Sequence, residues 1–215
     1  CSIDASRSAQ VIDEHLSNAT VLAIGPGFGA GAPQQQVVMR LVAREGAPLV
    51  IDADALNSLA EVERFDLDFR AKAILTPHPG EYARLAARLG IEADPVDPGR
   101  RIDAATALSR RLGAIVLLKG ANTIVTDGLR SWAASIVNPA LATAGSGDVL
   151  TGIVASFAAQ FHRSGMLDLF DCARLAVQAH GAAAGAWSER HGSAGLLAHE
   201  LCDLLPEAIE RMRRR

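Results

Sequence analysis

Aromatic residues are scarce in this chain, at 4% of 215 positions. That leaves little material for the stacking platforms that hold single-stranded nucleic acid. Cysteine is scarcer still. Three of them, an odd number, make no disulfide framework, so a reducing compartment, the cytoplasm, is expected. Neither sign of charge dominates, because 24 acids against 21 bases leave a formal charge of −3. No footprint for a nucleic-acid partner results. Long apolar runs are missing as well. None approaches the roughly 18–20 residues of a membrane span, and Cys1–Gln10 has no signal-peptide core. The basic end, Arg211, Arg213, Arg214 and Arg215, reads as a solvated helix terminus favoured by the dipole rather than as a binding patch.

What is plentiful is apolar. Hydrophobic residues make up 49% of the chain, too many for a disordered polymer. The length is about 1.4 times a typical domain of roughly 150 residues, so one domain over residues 1–215 is expected. The chain starts at Cys1 rather than at a methionine, which suggests a removed start or a piece of something longer.

Short apolar runs alternate with helical stretches. Val21–Gly25, Pro48–Ala53, Ala73–Thr76 and Ala114–Lys119 read as buried strands. Pro33–Glu45, Leu56–Arg64, Gly80–Leu89 and Arg100–Leu112 read as the helices between them, with Gly90–Pro98 a loop. Thr123–Thr126, the turn Asp127-Gly128 and Ser131–Val137 read as a hairpin. Beyond it the chain reads as helical over Asp148–His162, Leu167–Glu189 and Gly195–Arg211. The alternation predicts an α/β fold with a mainly parallel central sheet flanked by helices.

Five segments carry candidate chemistry. In Ala142–Gly152, Gly145, Ser146 and Gly147 lead straight into an amphipathic helix whose free first-turn amides and dipole suit an anion. Asp148, in that first turn, is either a helix-entry residue or a base for a hydroxyl attacking a phosphoryl group. Thr76–Glu81 (TPHPGE) follows a strand, where ligands of open α/β sheets bind. His78 and Glu81 are site residues there or parts of a proline-stiffened helix entry. Lys119–Thr123 (KGANT) offers Lys119 to phosphates, or a lysine to solvent. Ile24–Gly29 (IGPGFG) lacks the last glycine and the immediate helix of a dinucleotide fingerprint, so a tight pocket-lining loop fits better. In Ile51–Asn57 (IDADALN), Asp52 and Asp54 sit where a metal or ribose could bind, but capping by Asp54 is the favoured reading. His180, His191 and His199 have no metal-ligand spacing and read as surface or core-edge residues. Cys172 and Cys202 read as ordinary helix residues.

Taken together, IGPGFG, IDADALN, TPHPGE, KGANT and NPALATAGSGDVLTG resemble the ADP/ATP-dependent NAD(P)H-hydrate dehydratases of the ribokinase-like superfamily, over nearly the whole chain from Val21. The resemblance implies repair of hydrated NADH or NADPH, with ADP or ATP phosphorylating the ring hydroxyl before phosphate leaves. It implies Asp148 as base, with Gly145, Ser146 and Gly147 around the transferring phosphoryl group. It places the adenine nucleotide on Lys119, Gly120, Ala121, Asn122, Thr123, Asn138, Thr143 and Gly147. The hydrated dinucleotide would meet Gly27, Gly29, His78, Pro79, Gly80, Glu81 and Asp148. Magnesium is implied, with its ligands unassigned. A homo-oligomer, as large as a tetramer, and an epimerase domain or partner are implied too. Ala144 and Ser146 stand where the family commonly has glycine and threonine. The family's initial strand–helix unit, roughly 30 residues or more, has no counterpart before Val21, which predicts an open sheet edge or pocket near residues 1–20. The alternatives are a vitamin-precursor kinase of the same superfamily and a catalytically silent nucleotide-binding remnant.

Overall fold

The computed structural model describes residues 5–16, 18–135 and 137–214. Cys1 and Arg215, noted above, lie outside them.

Six strands form one sheet in sequence order: β1 (Leu22–Ile24), β2 (Leu49–Ile51), β3 (Ala73–Leu75), β4 (Ile115–Leu118), β5 (Ile124–Thr126) and β6 (Ser131–Ala133). The first four are parallel, joined through α2 (Ala32–Val42), α3 (Ala53–Glu61) and the pair α4 (Pro79–Leu89) and α5 (Arg101–Leu112). The last two pair antiparallel as the expected hairpin. The final helices are α6 (Ser146–Phe157), α7 (Leu169–His191) and α8 (Ala198–Arg213), with a π-helical turn at Ala158–His162.

The sheet has two buried faces because strand side chains alternate. Leu49, Ile51, Leu75, Val116 and Leu118 join one core with Val38, Leu41, Leu56, Leu85 and Leu108 from α2–α5. The intervening Val50, Ile74, Leu117 and Val125 join a second core with Val154, Phe157, Phe170 and Ala176 from α6 and α7. Strands buried on both sides have no polar alternation to display, which is why they read as plain apolar runs.

Boundaries moved by a few residues. The helix expected at Leu56–Arg64 starts at Ala53, and the strand expected to reach Val137 stops at Ala133. A helix that the sequence reading did not find, α1 (Ala5–Leu16), precedes β1 and packs Ile12 and Leu16 against the first core. Its apolar positions, Ala5, Ala9, Ile12 and Leu16, recur at helical spacing, so the signal for it is present in the sequence. β1 is an edge strand whose only partner among the described residues is β2, and its Ala23 is exposed. At the other terminus, Arg211 and Arg214 pair with Glu207 and Glu210 of α8, as a solvated helix end should.

Parallel strands put all their carboxyl ends on one edge of the sheet. The loops after β1, β2, β3 and β4 therefore meet there, and the start of α6 joins them.

Candidate functional site

The loop after β2 is set by backbone conformation. Ala53 is left-handed (φ 47°), an uncommon state for a residue with a side chain. Asp52 and Asp54 on either side of it go to different partners. Asp52 is 1% exposed. Its Oδ1 takes the Lys119 ammonium at 2.6 Å and its Oδ2 accepts the Thr151 hydroxyl at 2.6 Å. The carboxylate thus ties β2 to β4 and α6. Asp54 Oδ2 accepts the Gly29 amide at 2.8 Å and holds the loop after β1. The capping expected of Asp54 is not what it does: neither aspartate side chain caps α3. Capping is a local contact, whereas both partners here are distant in sequence. Gly25 has to be glycine, since a Cβ there would run into the Asp52 carbonyl.

The loop after β3 enters α4 through a reciprocal cap. His78 Nδ1 accepts the Gly80 and Glu81 amides at 2.9 and 3.4 Å, and the His78 amide donates to Glu81 Oε2 at 2.8 Å. Nδ1 is therefore the unprotonated nitrogen, and Nε2 faces Glu81 Oε1 at 3.4 Å. Pro79 occupies the first turn, where a missing N–H costs nothing. Helix entry and site residue are both compatible with this geometry. Glu81 is buried, and its Oε2 lies 3.9 Å from Lys119 Nζ.

Lys119 is not a surface lysine. Its side chain is 18% exposed and its ammonium sits between Asp52 and Glu81. A Cβ placed on Gly147 would be 3.6 Å from Nζ, so the cation lies against the first turn of α6. There Gly145 occupies the N-cap, Ser146 Oγ donates to the Leu141 carbonyl at 2.7 Å, and the Ser146 amide donates to Thr143 O at 3.3 Å. Among the described residues, the amides of Gly147 and Asp148 meet no protein acceptor. Free amides, a helix N-terminus and a lysine together make a strong anion-binding corner. Asp148 is exposed on that turn.

A cavity of about 360 Å³ opens beside this corner. Of the residues named from the sequence, Lys119, Gly120, Ala121, Thr123, Asn138, Ser146 and Gly147 line it, with Val137, Leu141, Leu150 and Val177 giving apolar walls. An apolar slot ending in an anion corner is the shape an aromatic base with a phosphate tail requires. Asn122, Thr143, Gly145 and Asp148 stand next to the lining without forming it. Gly27 and Gly29, and His78 through Glu81, belong to the neighbouring loops on the same edge and do not line it. Asn138 is fixed by its own caps, accepting Ala140 N at 3.0 Å and donating to Ser188 Oγ at 3.0 Å.

Three side chains here carry no sign in the sequence, and a fourth, His180, reads differently from its place in the structure. Thr151 lies one helical turn past Asp148 and gives no local sign of its link to Asp52. Arg101 is buried and donates only to carbonyls. Ser188 anchors Asn138. His180, expected at a surface or core edge, is buried and lines the cavity. Its Nε2 has no partner. Burial pushes the imidazole pKa down to about 4, against a hydrogen bond to the Ser146 backbone, so the ring is neutral near pH 7.

No group of three or more histidine, cysteine or acidic side chains converges on a metal position among the described residues. Magnesium does not ask for one. It is held through one or two carboxylates plus phosphate oxygens and keeps its waters. Asp52 and Glu81 do not fit that role, since Lys119 and Thr151 take both Asp52 oxygens and His78 engages both Glu81 oxygens, so the metal's contacts are left to the nucleotide phosphates and water.

Comparison with known proteins agrees with the geometry. The chain is 40% identical over 199 residues to the bifunctional NAD(P)H-hydrate repair enzyme of Vibrio cholerae, covering 93% of this chain and 37% of that one. It spans little more than a third of the length of the curated relatives it matches. Among solved structures, the ADP/ATP-dependent NAD(P)H-hydrate dehydratase of Bacillus subtilis, co-crystallised with ATP/Mg2+, is 31% identical with a TM-score of 0.73. That match covers 89% of this chain and 64% of that one. A ribokinase-like superfamily protein of Enterococcus faecalis, 24% identical with a TM-score of 0.75, shares the fold over 97% of this chain and 69% of that one. The family model described as NAD(P)H-hydrate dehydratase matches residues 3–207, and with that extent of match the chain belongs to the NAD(P)H-hydrate dehydratase family.

Proposed function

We propose that this chain is the catalytic domain, over residues 1–215, of a dehydratase that repairs hydrated NADH or NADPH at the expense of ADP or ATP. One observation carries the reading: Lys119 and the unpartnered Gly147 amide close one end of a largely apolar cavity, with the unpartnered Asp148 amide beside them. Family membership supplies the substrate class.

In this reading the adenine nucleotide lies in the cavity, against Lys119, Gly120, Ala121, Thr123 and Asn138, with Asn122 and Thr143 behind its walls. Its terminal phosphoryl group meets the Gly145–Gly147 turn. Hydrated dinucleotide approaches along the loops of Gly27 and Gly29 and of His78, Pro79, Gly80 and Glu81. The ring hydroxyl oxygen bonds to the terminal phosphorus as the bridging P–O bond to the nucleotide breaks. Asp148 takes the hydroxyl proton, a role open to an exposed carboxylate on the turn that cradles the phosphoryl group. The amides of that turn and Lys119 stabilise the transferring charge. The ring C–O bond then breaks, phosphate leaves with the bonding pair, and a ring proton departs as the reduced nicotinamide double bond returns. Magnesium carried with the nucleotide would neutralise phosphate charge.

The same reading makes the protein a cytoplasmic homo-oligomer, up to a tetramer, working with an epimerase domain or partner. The word "bifunctional" in the names of the longer relatives supports a second activity. No described helix is long and apolar enough to cross a membrane.

The test incubates hydrated NADH with the protein, magnesium and either ADP or ATP, and follows recovery of reduced-nicotinamide absorbance. Recovery with release of phosphate is expected. A stable phosphorylated product instead would point to the vitamin-precursor kinase type. No recovery from the natural gene product with either nucleotide overturns the reading.

A further inference from the structure

Arg101 opens α5, an awkward place for a cation because the helix dipole is positive there. Its guanidinium is buried, and among the described residues it has no ion pair. Its two terminal nitrogens donate to carbonyls instead, while the buried Nε has no partner among the described residues. Nη1 donates to Pro95 O at 2.8 Å, and Nη2 donates to Leu118 O at 3.2 Å and Lys119 O at 3.0 Å, with Asn122 O at 3.5 Å. Three of these four acceptors belong to the last residue of β4 and to the segment that leaves it and becomes a wall of the cavity. Gly120 faces the same guanidinium. Its φ of 152° suits glycine, and a Cβ there would come within 2.6–3.0 Å of three guanidinium atoms. Thr123 Oγ1 closes the turn by donating to Gly120 O at 3.1 Å. A planar fork donates to several of these carbonyls at once, which a lysine's point charge cannot reproduce.

We propose that Arg101 is a positioning residue that fixes the Lys119–Thr123 segment as one wall of the nucleotide cavity without itself touching the nucleotide. The proposal rests on reading that cavity as the adenine-nucleotide site. Arg101 lies behind the wall, and the carbonyls of both Lys119 and Asn122 converge on it. Moving it displaces Lys119 and the lining of Gly120, Ala121 and Thr123 together.

The experiment measures ADP and ATP binding by calorimetry in the presence of magnesium, with melting temperatures and steady-state kinetics alongside. Arg101→Lys is expected to weaken nucleotide binding on the order of 10- to 100-fold, the effect of a misplacement near 1 Å. KM for the nucleotide rises with it, while KM for hydrated NADH stays at the parent value. A purely structural role would lower the active fraction, and so the apparent kcat, with both KM values unchanged.

Losing a buried cation's contacts can abolish folding, so a second pair of variants leaves Arg101 in place. Gly120→Ala presses on the same contact and should weaken nucleotide binding similarly. Gly128→Ala is the matched control. It too has a positive φ, 87°, and a Cβ there would lie 3.0 Å from an arginine, Arg110, but it sits away from the cavity. Its nucleotide affinity should equal the parent's. Parent-like affinity in both Arg101→Lys and Gly120→Ala, or equal losses in Gly120→Ala and Gly128→Ala, overturns the positioning role. Should the parent bind neither ADP nor ATP, the nucleotide reading itself falls, and the proposal with it.

Discussion

The β4–β5–β6 hairpin is held at both ends by arginine, and the two ends are held in opposite ways. At the end away from the cavity, Arg130 is 52% exposed. It donates to Asp127 and Asp168 at 2.7 and 2.6 Å and lies 4.4 Å over the Phe170 ring. Hydrogen bonding to Asp168, then to Asp127, raises its pKa further. At the cavity end Arg101 is buried, and burial lowers its pKa. It touches carbonyls and no carboxylate. The difference follows from what each end faces. Beside water, an ion pair is well solvated and weak. Beside a wall meant for phosphates, another carboxylate would repel the ligand, whereas carbonyls hold the arginine without adding formal negative charge. The acids that do stand near the anion corner, Asp52 and Glu81, are offset by Lys119.

The comparison breaks most visibly at Asp148. Asp148→Asn is expected to lower kcat by roughly 10²- to 10⁴-fold, the usual size of a general-base contribution. The melting temperature should barely move, because the side chain is exposed. Recovery of reduced nicotinamide at the parent rate would remove Asp148 from its role.

Next in size is the ion pair behind the corner. Lys119→Met strands the Asp52 carboxylate, and breaking such a buried pair costs about 3–5 kcal/mol. Urea unfolding should show it, and the double variant with Asp52→Asn should recover most of the loss. A double variant no more stable than Lys119→Met alone would mean that the carboxylate is not stranded.

His180 gives a pH test of the same end. Its pKa is about 4 folded and near 6.5 unfolded. Between those values the unfolded chain binds more protons, so stability rises with pH across that window. The contribution is complete above about pH 6.5 and lost as pH falls towards 4, up to about 3 kcal/mol. His180→Gln should flatten the melting curve between those pH values, and an unchanged slope would contradict the burial argument.

Smallest of all is the far end. Arg130→Met should lower stability by about 1 kcal/mol or less and leave nucleotide KM and kcat alone. A drop in activity there would mean that the two ends are not independent.

Legibility in the sequence followed the range of the interactions. The apolar runs of β2, β3 and β4 were plain because each strand is buried on both faces. The start of α6 was plain because a glycine turn before an amphipathic helix is a local device, and Gly145–Asp148 occupies that position. The HPGE segment was readable because its reciprocal cap spans only four residues, from His78 to Glu81. Asp52 reads from the sequence only as a carboxylate at a strand end. Its partners, Lys119 and Thr151, lie 67 and 99 residues away, and no local pattern reports such a distance. Arg101 gives no local sign for the same reason, and His180 reads as a surface or core-edge residue because its burial is decided by other elements, whereas α1 does carry helical periodicity in its sequence.

Sequence alone determined the alternation of strand and helix, the apolar layers and the glycine-rich entry to α6, since each depends on residues near one another along the chain. Its ordered motifs also carried the family. Tertiary structure decided which charges are buried and what neutralises them: Lys119 between two acids, Asp54 on the loop after β1, Arg101 among carbonyls. The reason is that a charge is tolerated inside a protein only beside partners that compensate its lost hydration, and those partners arrive from other strands once the sheet has formed.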